Sequence, residues 1–137
     1  MFEFALILIG LLAGSLLTEG MVLVPFWRGL PTDKFYELHG SGGPKLFRYF
    51  APLTALAVLS SIALAILDGR PSTWTAACLC GCALASFFVF FRTTNKRLAA
   101  HEYSDQELIT VLRKWSIWHH ARTILVIFAF ASLAYGY

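Results

Sequence analysis

The sequence predicts an all-α integral membrane protein, folded as an up-down-up-down four-helix bundle with a short interfacial helix between its first and second spans. The composition excludes an ordinary soluble domain, because 58% of the 137 residues are hydrophobic and 14% are charged, whereas soluble domains carry about 25% charged residues. Four apolar segments are each long enough, as helices, to cross a hydrocarbon core of roughly 30 Å. They lie at about residues 4–24, 49–67, 74–94 and 115–135, and the whole chain, 1–137, is expected to form one membrane domain.

The first span carries two stripes of small and polar residues. Gly10, Gly14 and Thr18 recur every four residues, a spacing that lets a neighbouring helix approach closely and that suits packing within the chain or a homodimer equally well. Ser15 and Glu19 form a second stripe one position further along the helix. We expect Glu19 about 8 Å below the nearer membrane surface, and an ionisable residue at such a depth commonly marks a functional site.

The connection after the first span is predicted to hold the short interfacial helix. Pro25 should end the first helix, because proline cannot donate a backbone hydrogen bond. Thr32 is suited to cap the next helix and Gly40 to stop it, so that His39 ends this helix at the rim of the bundle. The glycine-rich stretch 40–45 has neither the Walker spacing nor a preceding strand, so it does not indicate a phosphate loop.

The second and third spans are predicted to be antiparallel neighbours. Residues 68–72 form a tight reversal, in which Gly69 stops the helix and a proline follows. In the third span, Cys78 and Cys82 share one helix face and Cys80 faces nearly the opposite way. The three thiols are therefore expected to pack against their surroundings instead of binding one metal ion.

The last helix is predicted to begin outside the membrane. Ser104 and Glu107 have the spacing of a capping box ahead of an apolar period. From this start the helix can run unbroken from about residue 105 to 135, and its later part forms the fourth span.

The positions of the basic residues predict the orientation. Of the eleven lysines and arginines, all but Arg70 and Arg122 flank the connections 25–48 and 92–114. The positive-inside rule places these connections in the cytoplasm and both termini outside, and we expect the membrane to be a bacterial inner membrane. The basic residues form no continuous stripe, so no nucleic-acid partner is indicated. The expected partners are the lipid bilayer and a lipophilic small molecule.

The start of the fourth span holds the main candidate for a functional site. Trp115, His119 and Arg122 lie at i, i+4 and i+7 and share one helix face, whereas His120 points about 100° away. An ionisable group inside the membrane costs about 2.5 to 3.5 kcal/mol, so this face requires a compensating partner. The predicted topology supplies one, because it brings Glu19 to about the same depth.

These groups predict a polar pocket near the cytoplasmic end of the bundle, as four-helix bundles commonly hold cofactors and metals in such cores. His39 and Asn95 are expected at its rim. The candidate catalytic residues are Glu19, Asn95, His119 and Arg122. The candidate substrate-binding residues are Ser15, Trp115 and Trp118.

One hypothesis for this pocket is a transition-metal site. Glu19, His39 and His119 would supply a carboxylate and two imidazoles, a ligand set that non-haem iron favours and that also suits zinc or copper. The three residues lie on different elements without the spacing of a motif such as HExxH. Haem held by His39 and His119 is a related alternative.

A second hypothesis is a site for a lipophilic aromatic or quinone-like molecule. His119 or Glu19 would act as general base, and Arg122 or Asn95 would stabilise a developing oxyanion. A third hypothesis is purely structural: Glu19 and Arg122 form a buried ion pair that fixes how the helices pack.

The sequence also resembles a known family. The stretch Asn95-Lys96-Arg97-Leu98, followed by Leu112, Trp115, His119 and Arg122, is similar to the Asn-x-x-Leu … Trp-x-x-x-(Asn/His)-x-x-Arg pattern of the anthrone oxygenase-like family of small four-helix membrane proteins. Phe35 to His39 and Arg48 to Leu53 fit its bacterial branch, many members of which have no known function.

The resemblance implies an oxygenase-type activity, which in the fungal members acts on polycyclic phenolic anthrones without an organic cofactor. Carried over by position, it points to Asn95, Trp115, His119 and Arg122. Two features depart from the family pattern: His119 stands where asparagine is frequent, and Glu19 has no counterpart. A metal or haem that the relatives lack is therefore a further alternative for this chain.

The sequence thus predicts an oxidoreductase or oxygenase acting on a lipophilic aromatic substrate, phenolic or quinone-like. The alternative is a non-enzymatic membrane subunit of a larger complex that binds haem, a metal or a quinone. The composition does not fix the substrate, the cofactor or the oligomeric state.

Overall fold

The structure, a computed structural model, describes residues 1–136; Tyr137, the last residue of the predicted domain, lies outside this range. It contains four helices, and each is long and apolar enough to cross a membrane. These are α1 (Phe2–Arg28), α2 (Thr32–Asp68), α3 (Pro71–Ala99) and α4 (Asp105–Gly136). The part of the chain described contains no strand. The predicted all-α class and the four-helix bundle are confirmed, whereas the bounds of the membrane spans stay a prediction.

The helices form a closed ring in which each packs against two others. Helix α1 packs against α2 and α4, and α3 packs against the same two helices. Because the connections are short, consecutive helices run in opposite directions. This up-down-up-down order places the end of α1, the start of α2, the end of α3 and the start of α4 at one end of the bundle.

Helix α1 continues past Pro25, so the prediction that this proline ends the helix was wrong. Residues Glu19–Leu23 form a π-helical turn, in which the N–H of Val24 donates to the carbonyl of Glu19. A proline inside a regular α-helix clashes with the carbonyl four residues before it. The wider π turn directly before Pro25 relieves this clash, and the helix runs on to Arg28.

The interfacial helix is not a separate element, which corrects a second prediction. Helix α2 is continuous from Thr32 through Gly40 and the glycine-rich stretch to Asp68, so the predicted helix is its N-terminal extension. A glycine ends a helix when it adopts a left-handed conformation, and among the described glycines only Gly69 does so, with φ of 71°. Pro31 is the N-cap residue, and Thr32 makes no capping bond.

The predicted reversal and capping box are both present. Gly69 ends α2 and Pro71 begins α3. The backbone N–H of Ser104 donates to Oε2 of Glu107 at 2.9 Å, and the N–H of Glu107 donates to Oγ of Ser104 at 3.5 Å. Helix α4 then runs without interruption, as the apolar period predicted.

Two apolar clusters fill the bundle. One lies towards the chain termini and includes Ile9, Val126 and Leu133; the other lies at the connection end and includes Phe35 and Phe91. Along both α1 and α4, the two clusters are separated by a layer of buried polar side chains. This layer holds the residues that the sequence placed at a common depth.

Candidate functional site

The packing of α1 against α4 brings the predicted acid, imidazole and guanidinium together. Nη2 of Arg122 lies 3.4 Å from Oε2 of Glu19 and 3.0 Å from Nδ1 of His119. The same carboxylate oxygen of Glu19 lies 3.6 Å from Nδ1 of His119. Charges of opposite sign thus compensate one another in a region where a lone charge would be costly.

His119 is fixed by hydrogen bonds through both ring nitrogens. Its Nε2–H donates to the carbonyl of Leu16 at 2.8 Å, and its Nδ1 accepts from Arg122. This pattern assigns the neutral tautomer with the proton on Nε2. The ring is 0% exposed, and it packs so closely on Gly20 that an added Cβ there would lie 3.0 Å from Cδ2.

Next to this cluster lies a cavity of about 320 Å³ inside the bundle. Most of its wall is apolar. The aromatic lining residues are Trp27, Phe35, Phe47, Phe50, Phe87, Phe88 and Trp115. The polar lining residues include Glu19, His39, Asn95 and Arg122. A mostly apolar cavity with a few convergent polar groups is typical of a small-molecule site.

The side chain of Arg122 lines the cavity and is packed between aromatic rings. Its guanidinium carbon lies 4.2 Å from the ring centroid of Phe91 and 5.9 Å from that of Trp115, so aromatic faces hold the cation from the side. Its Nε is buried and has no hydrogen-bond partner among residues 1–136.

Asn95 offers a hydrogen-bond donor. Nε1 of Trp115 donates to Oδ1 of Asn95 at 2.9 Å. Because the indole N–H can only donate, this bond fixes which amide atom faces Trp115 and leaves the NH₂ group for other partners. The cavity therefore presents one carboxylate, Glu19, together with the amide of Asn95 and the guanidinium of Arg122.

The other predicted site residues lie apart from this wall. His39 lines the cavity but stacks on Phe35, with ring centroids 5.4 Å apart. Ser15 Oγ lies 2.7 Å from the hydroxyl of Tyr49, in a separate groove between α1 and α2. Trp118 stacks on Phe90 outside the cavity. Of the three predicted substrate-binding residues, Trp115 alone lines the cavity.

The predicted metal site does not fit the geometry. No three His, Cys, Asp or Glu side chains of the described residues are placed to hold a metal ion. The ligand set Glu19, His39 and His119 does not fit, because both ring nitrogens of His119 already form hydrogen bonds. The carboxylate of Glu19 faces Arg122. The same hydrogen bonds exclude His119 as an axial ligand of haem. The thiols of Cys78 and Cys82 are exposed and that of Cys80 is buried.

The sequence reasoning missed the second wall of the site, which α3 supplies. Residues Phe87–Phe91 form another π-helical turn, and the Phe91 ring packs against both Trp115 and Arg122. The sequence feature that could have indicated this wall is the aromatic run Phe87-Phe88-Val89-Phe90-Phe91, which ends one helical turn before Asn95. π turns occur frequently at functional sites, and here one lies on each of two helices lining the cavity.

Comparison with known proteins gives one match. Residues 44–132 match the family model described as anthrone oxygenase. This range contains Asn95, Trp115, His119 and Arg122, whereas Glu19 lies before it. No curated protein and no solved structure matches the chain.

Proposed function

Because the chain belongs to the anthrone oxygenase family, we propose that it is a membrane-embedded oxygenase that acts on a lipophilic phenolic or quinone-like aromatic substrate. The observation that carries the proposal is the polar wall, Glu19 with Arg122 and Asn95, in a cavity whose other lining residues are mostly aliphatic or aromatic. An apolar cavity of this size suits a flat ring system, and the polar wall suits its oxygen substituents.

Glu19 is the proposed general base. It is the carboxylate that faces the cavity, and a positioned base contributes about 10² to 10⁴ to a rate. Removing a proton from the ring CH₂ group of an anthrone gives an enolate, whose oxygen bears the negative charge. The guanidinium of Arg122 and the NH₂ group of Asn95 belong to residues on the same cavity wall and would stabilise that oxyanion.

Molecular oxygen completes the proposed reaction. The electron-rich carbon of the enolate reacts with O₂, and a C–O bond forms at that carbon. Loss of water from the resulting hydroperoxide leaves a carbonyl group, so that the overall change is CH₂ plus O₂ to C=O plus H₂O. Glu19 returns the first proton to the peroxide oxygen. It then takes the second proton from the ring carbon as the O–O bond breaks and passes it to the departing hydroxide, which leaves as water.

His119 has a different role in this proposal from the one the sequence suggested. Because the ring is enclosed and does not line the cavity, it does not reach a substrate. It is a positioning residue: anchored to the carbonyl of Leu16, it holds Nη2 of Arg122 through Nδ1. A base role for His119 remains a prediction without a geometric path to the cavity.

We also propose the orientation that the basic residues predict. The connection end of the bundle faces the cytoplasm of a bacterial cell, and both termini face outward. The polar wall then lies in the cytoplasmic half of the inner membrane.

The experiment is turnover by the purified full chain in lipid nanodiscs, with anthrone as probe. Oxygen consumption and quinone absorbance are both recorded, and the rate in empty nanodiscs is subtracted. Glu19→Gln keeps the size and hydrogen-bonding capacity of the side chain but removes the base, so turnover should fall by about 10² or more. Glu3→Gln changes an exposed carboxyl on the same helix and should leave turnover unaltered. An undiminished rate for Glu19→Gln would contradict the proposal, and anthrone binding without oxygen consumption would favour the non-enzymatic alternative.

A further inference from the structure

The central cavity reaches the outer surface of the bundle between α2 and α3. Phe47 and Phe88 both line the cavity, yet their side chains are 57% and 59% exposed. Ala55 also lines the cavity and is exposed. A residue that belongs both to an internal cavity and to the outer surface marks an opening, and these residues lie on the two helices that border it.

The opening is a slot whose width is set by small residues of α2. Phe47, Ala51 and Ala55 follow one another at four-residue spacing and share one helix face. Leu84 and Phe88 of α3 line the cavity with the same spacing. Two alanines on this face of α2 leave space that larger side chains would fill.

Aromatic rings border this slot near the polar wall. The rings of Phe47 and Phe87 lie 6.2 Å apart across the gap between α2 and α3. Phe87 begins the π turn of α3. Flat aromatic faces of this kind are favourable surfaces for a passing ring system.

Part of the connection end of the cavity is tightly packed. Phe35 and Leu98 line the cavity there and are buried in the apolar cluster of that end. The hydroxyl of Tyr36 donates to the carbonyl of Tyr103 at 3.1 Å and accepts from its N–H at 3.3 Å. These bonds hold the connection between α3 and α4 against the start of α2, so this side of the connection end is packed, whereas His39 and Gly43 line the cavity and are partly exposed.

We propose that the substrate enters the cavity sideways from the bilayer, through the slot between α2 and α3, and that Phe47, Ala55 and Phe88 determine which ring systems pass. This inference rests on the proposed function and adds the access route and the size-determining residues. The ligand class that fits is a planar polycyclic phenol that partitions into lipid. Such a molecule needs no aqueous path, because its concentration is highest where the slot opens.

The test measures binding kinetics, which do not depend on turnover. Anthrone is mixed in a stopped-flow instrument with the full chain in nanodiscs, and quenching of tryptophan fluorescence is followed, because Trp27 and Trp115 line the cavity. Ala55→Phe narrows the slot without filling the polar wall. Association and dissociation rates should both fall by about tenfold while Kd stays within about twofold, since an obstructed path slows both directions equally. Leu56→Phe is the matched control, because Leu56 is 47% exposed on the same helix and does not line the cavity.

A variant that widens the slot should change the association and dissociation rates in the opposite direction. Phe88→Ala should raise both rates, whereas Phe128→Ala removes a ring that is 61% exposed on α4, away from the cavity, and should change neither. Rates that are the same in Ala55→Phe, Phe88→Ala and the wild type would overturn the lateral route and leave the proposed function intact. If wild-type protein does not bind anthrone at all, the proposed function fails, and this inference fails with it.

Discussion

The indole of Trp115 makes two interactions, a ring stack and a hydrogen bond, and one substitution can remove the second while keeping the first. Its ring stacks on His119 with centroids 5.1 Å apart, and its Nε1–H fixes the amide of Asn95. Trp115→Phe keeps an aromatic ring and removes the donor. The amide of Asn95 is then free to turn its oxygen towards the cavity, where it would repel an oxyanion.

We therefore expect Trp115→Phe to lower kcat by about tenfold, in line with the loss of part of an oxyanion donor. The free energy of unfolding should fall by only about 1 kcal/mol, the usual value for one hydrogen bond. Steady-state oxygen consumption and a thermal melt in detergent measure the two effects. Trp118→Phe is the control, because Trp118 stacks on Phe90 outside the cavity. Equal losses of kcat in both variants would contradict the role given to Asn95.

Helical periodicity and depth were sufficient to predict that Glu19, His119 and Arg122 meet. Both quantities follow from residue spacing alone, since each residue adds a fixed rise and rotation. The pairing of Asn95 with Trp115 and the enclosure of His119 did not follow. They depend on how each helix is rotated about its axis, which packing and the two π turns decide. The sequence also did not indicate that both ring nitrogens of His119 form hydrogen bonds, one with the carbonyl of Leu16 and one with Arg122.

At the scale of the helices, the π turn of α1 and the glycine within it shape the site together. The turn begins at Glu19, and Gly20 follows it against the imidazole of His119. A π turn inserts an additional residue and changes the direction in which all later side chains point. A methyl group at this position would require the imidazole to move by a few tenths of an ångström, and such a shift would lengthen its 2.8 Å bond to the carbonyl of Leu16.

Gly20→Ala should therefore destabilise the protein by about 1 to 3 kcal/mol, the usual cost of overpacking a buried position. Turnover should fall as well, because the displaced ring no longer holds Arg122. Gly14→Ala is the matched control on the same helix, where an added Cβ meets nothing within 4 Å. There the change should stabilise by up to about 1 kcal/mol through helix propensity. Thermal melts of both variants test whether the two changes in stability have opposite signs. Equal shifts in melting temperature would contradict the close packing of Gly20 against His119.

The two errors made at the level of elements have a common origin. Pro25 and Gly40 are residues that often end helices, and the sequence offers the same local signal at Gly69, where a helix does end. The three positions differ in the local structure around each residue. A π turn accommodates Pro25. At Gly40 itself an added Cβ would meet nothing within 4 Å, and the contact of this stretch lies three residues later, where Gly43 packs under the ring of His39, with an added Cβ 3.3 Å from Cε1. Local propensity cannot report such contacts, since tertiary packing decides them.

At the scale of the whole molecule, the charge distribution and the position of the site are linked. The connection end of the bundle carries the basic residues of the starts and ends of the helices, and the polar wall lies on the same side of the bundle's centre. If the positive-inside rule holds, the substrate meets Glu19 in the cytoplasmic leaflet. The proposed slot between α2 and α3 then opens to lipids of that leaflet near Phe47.

Single-cysteine labelling of intact cells tests this orientation. In a variant whose three native thiols are replaced by alanine, Glu3→Cys and Ser41→Cys place one exposed thiol at each end of the bundle. A membrane-impermeant maleimide should label the first in intact cells and the second only after the cells are broken open, because the proposed orientation places the connection end, with its lysines and arginines, in the cytoplasm. The reverse pattern would place Glu19 in the outer leaflet. Labelling of both positions in intact cells would indicate mixed insertion, which a strong charge difference between the two ends should not allow.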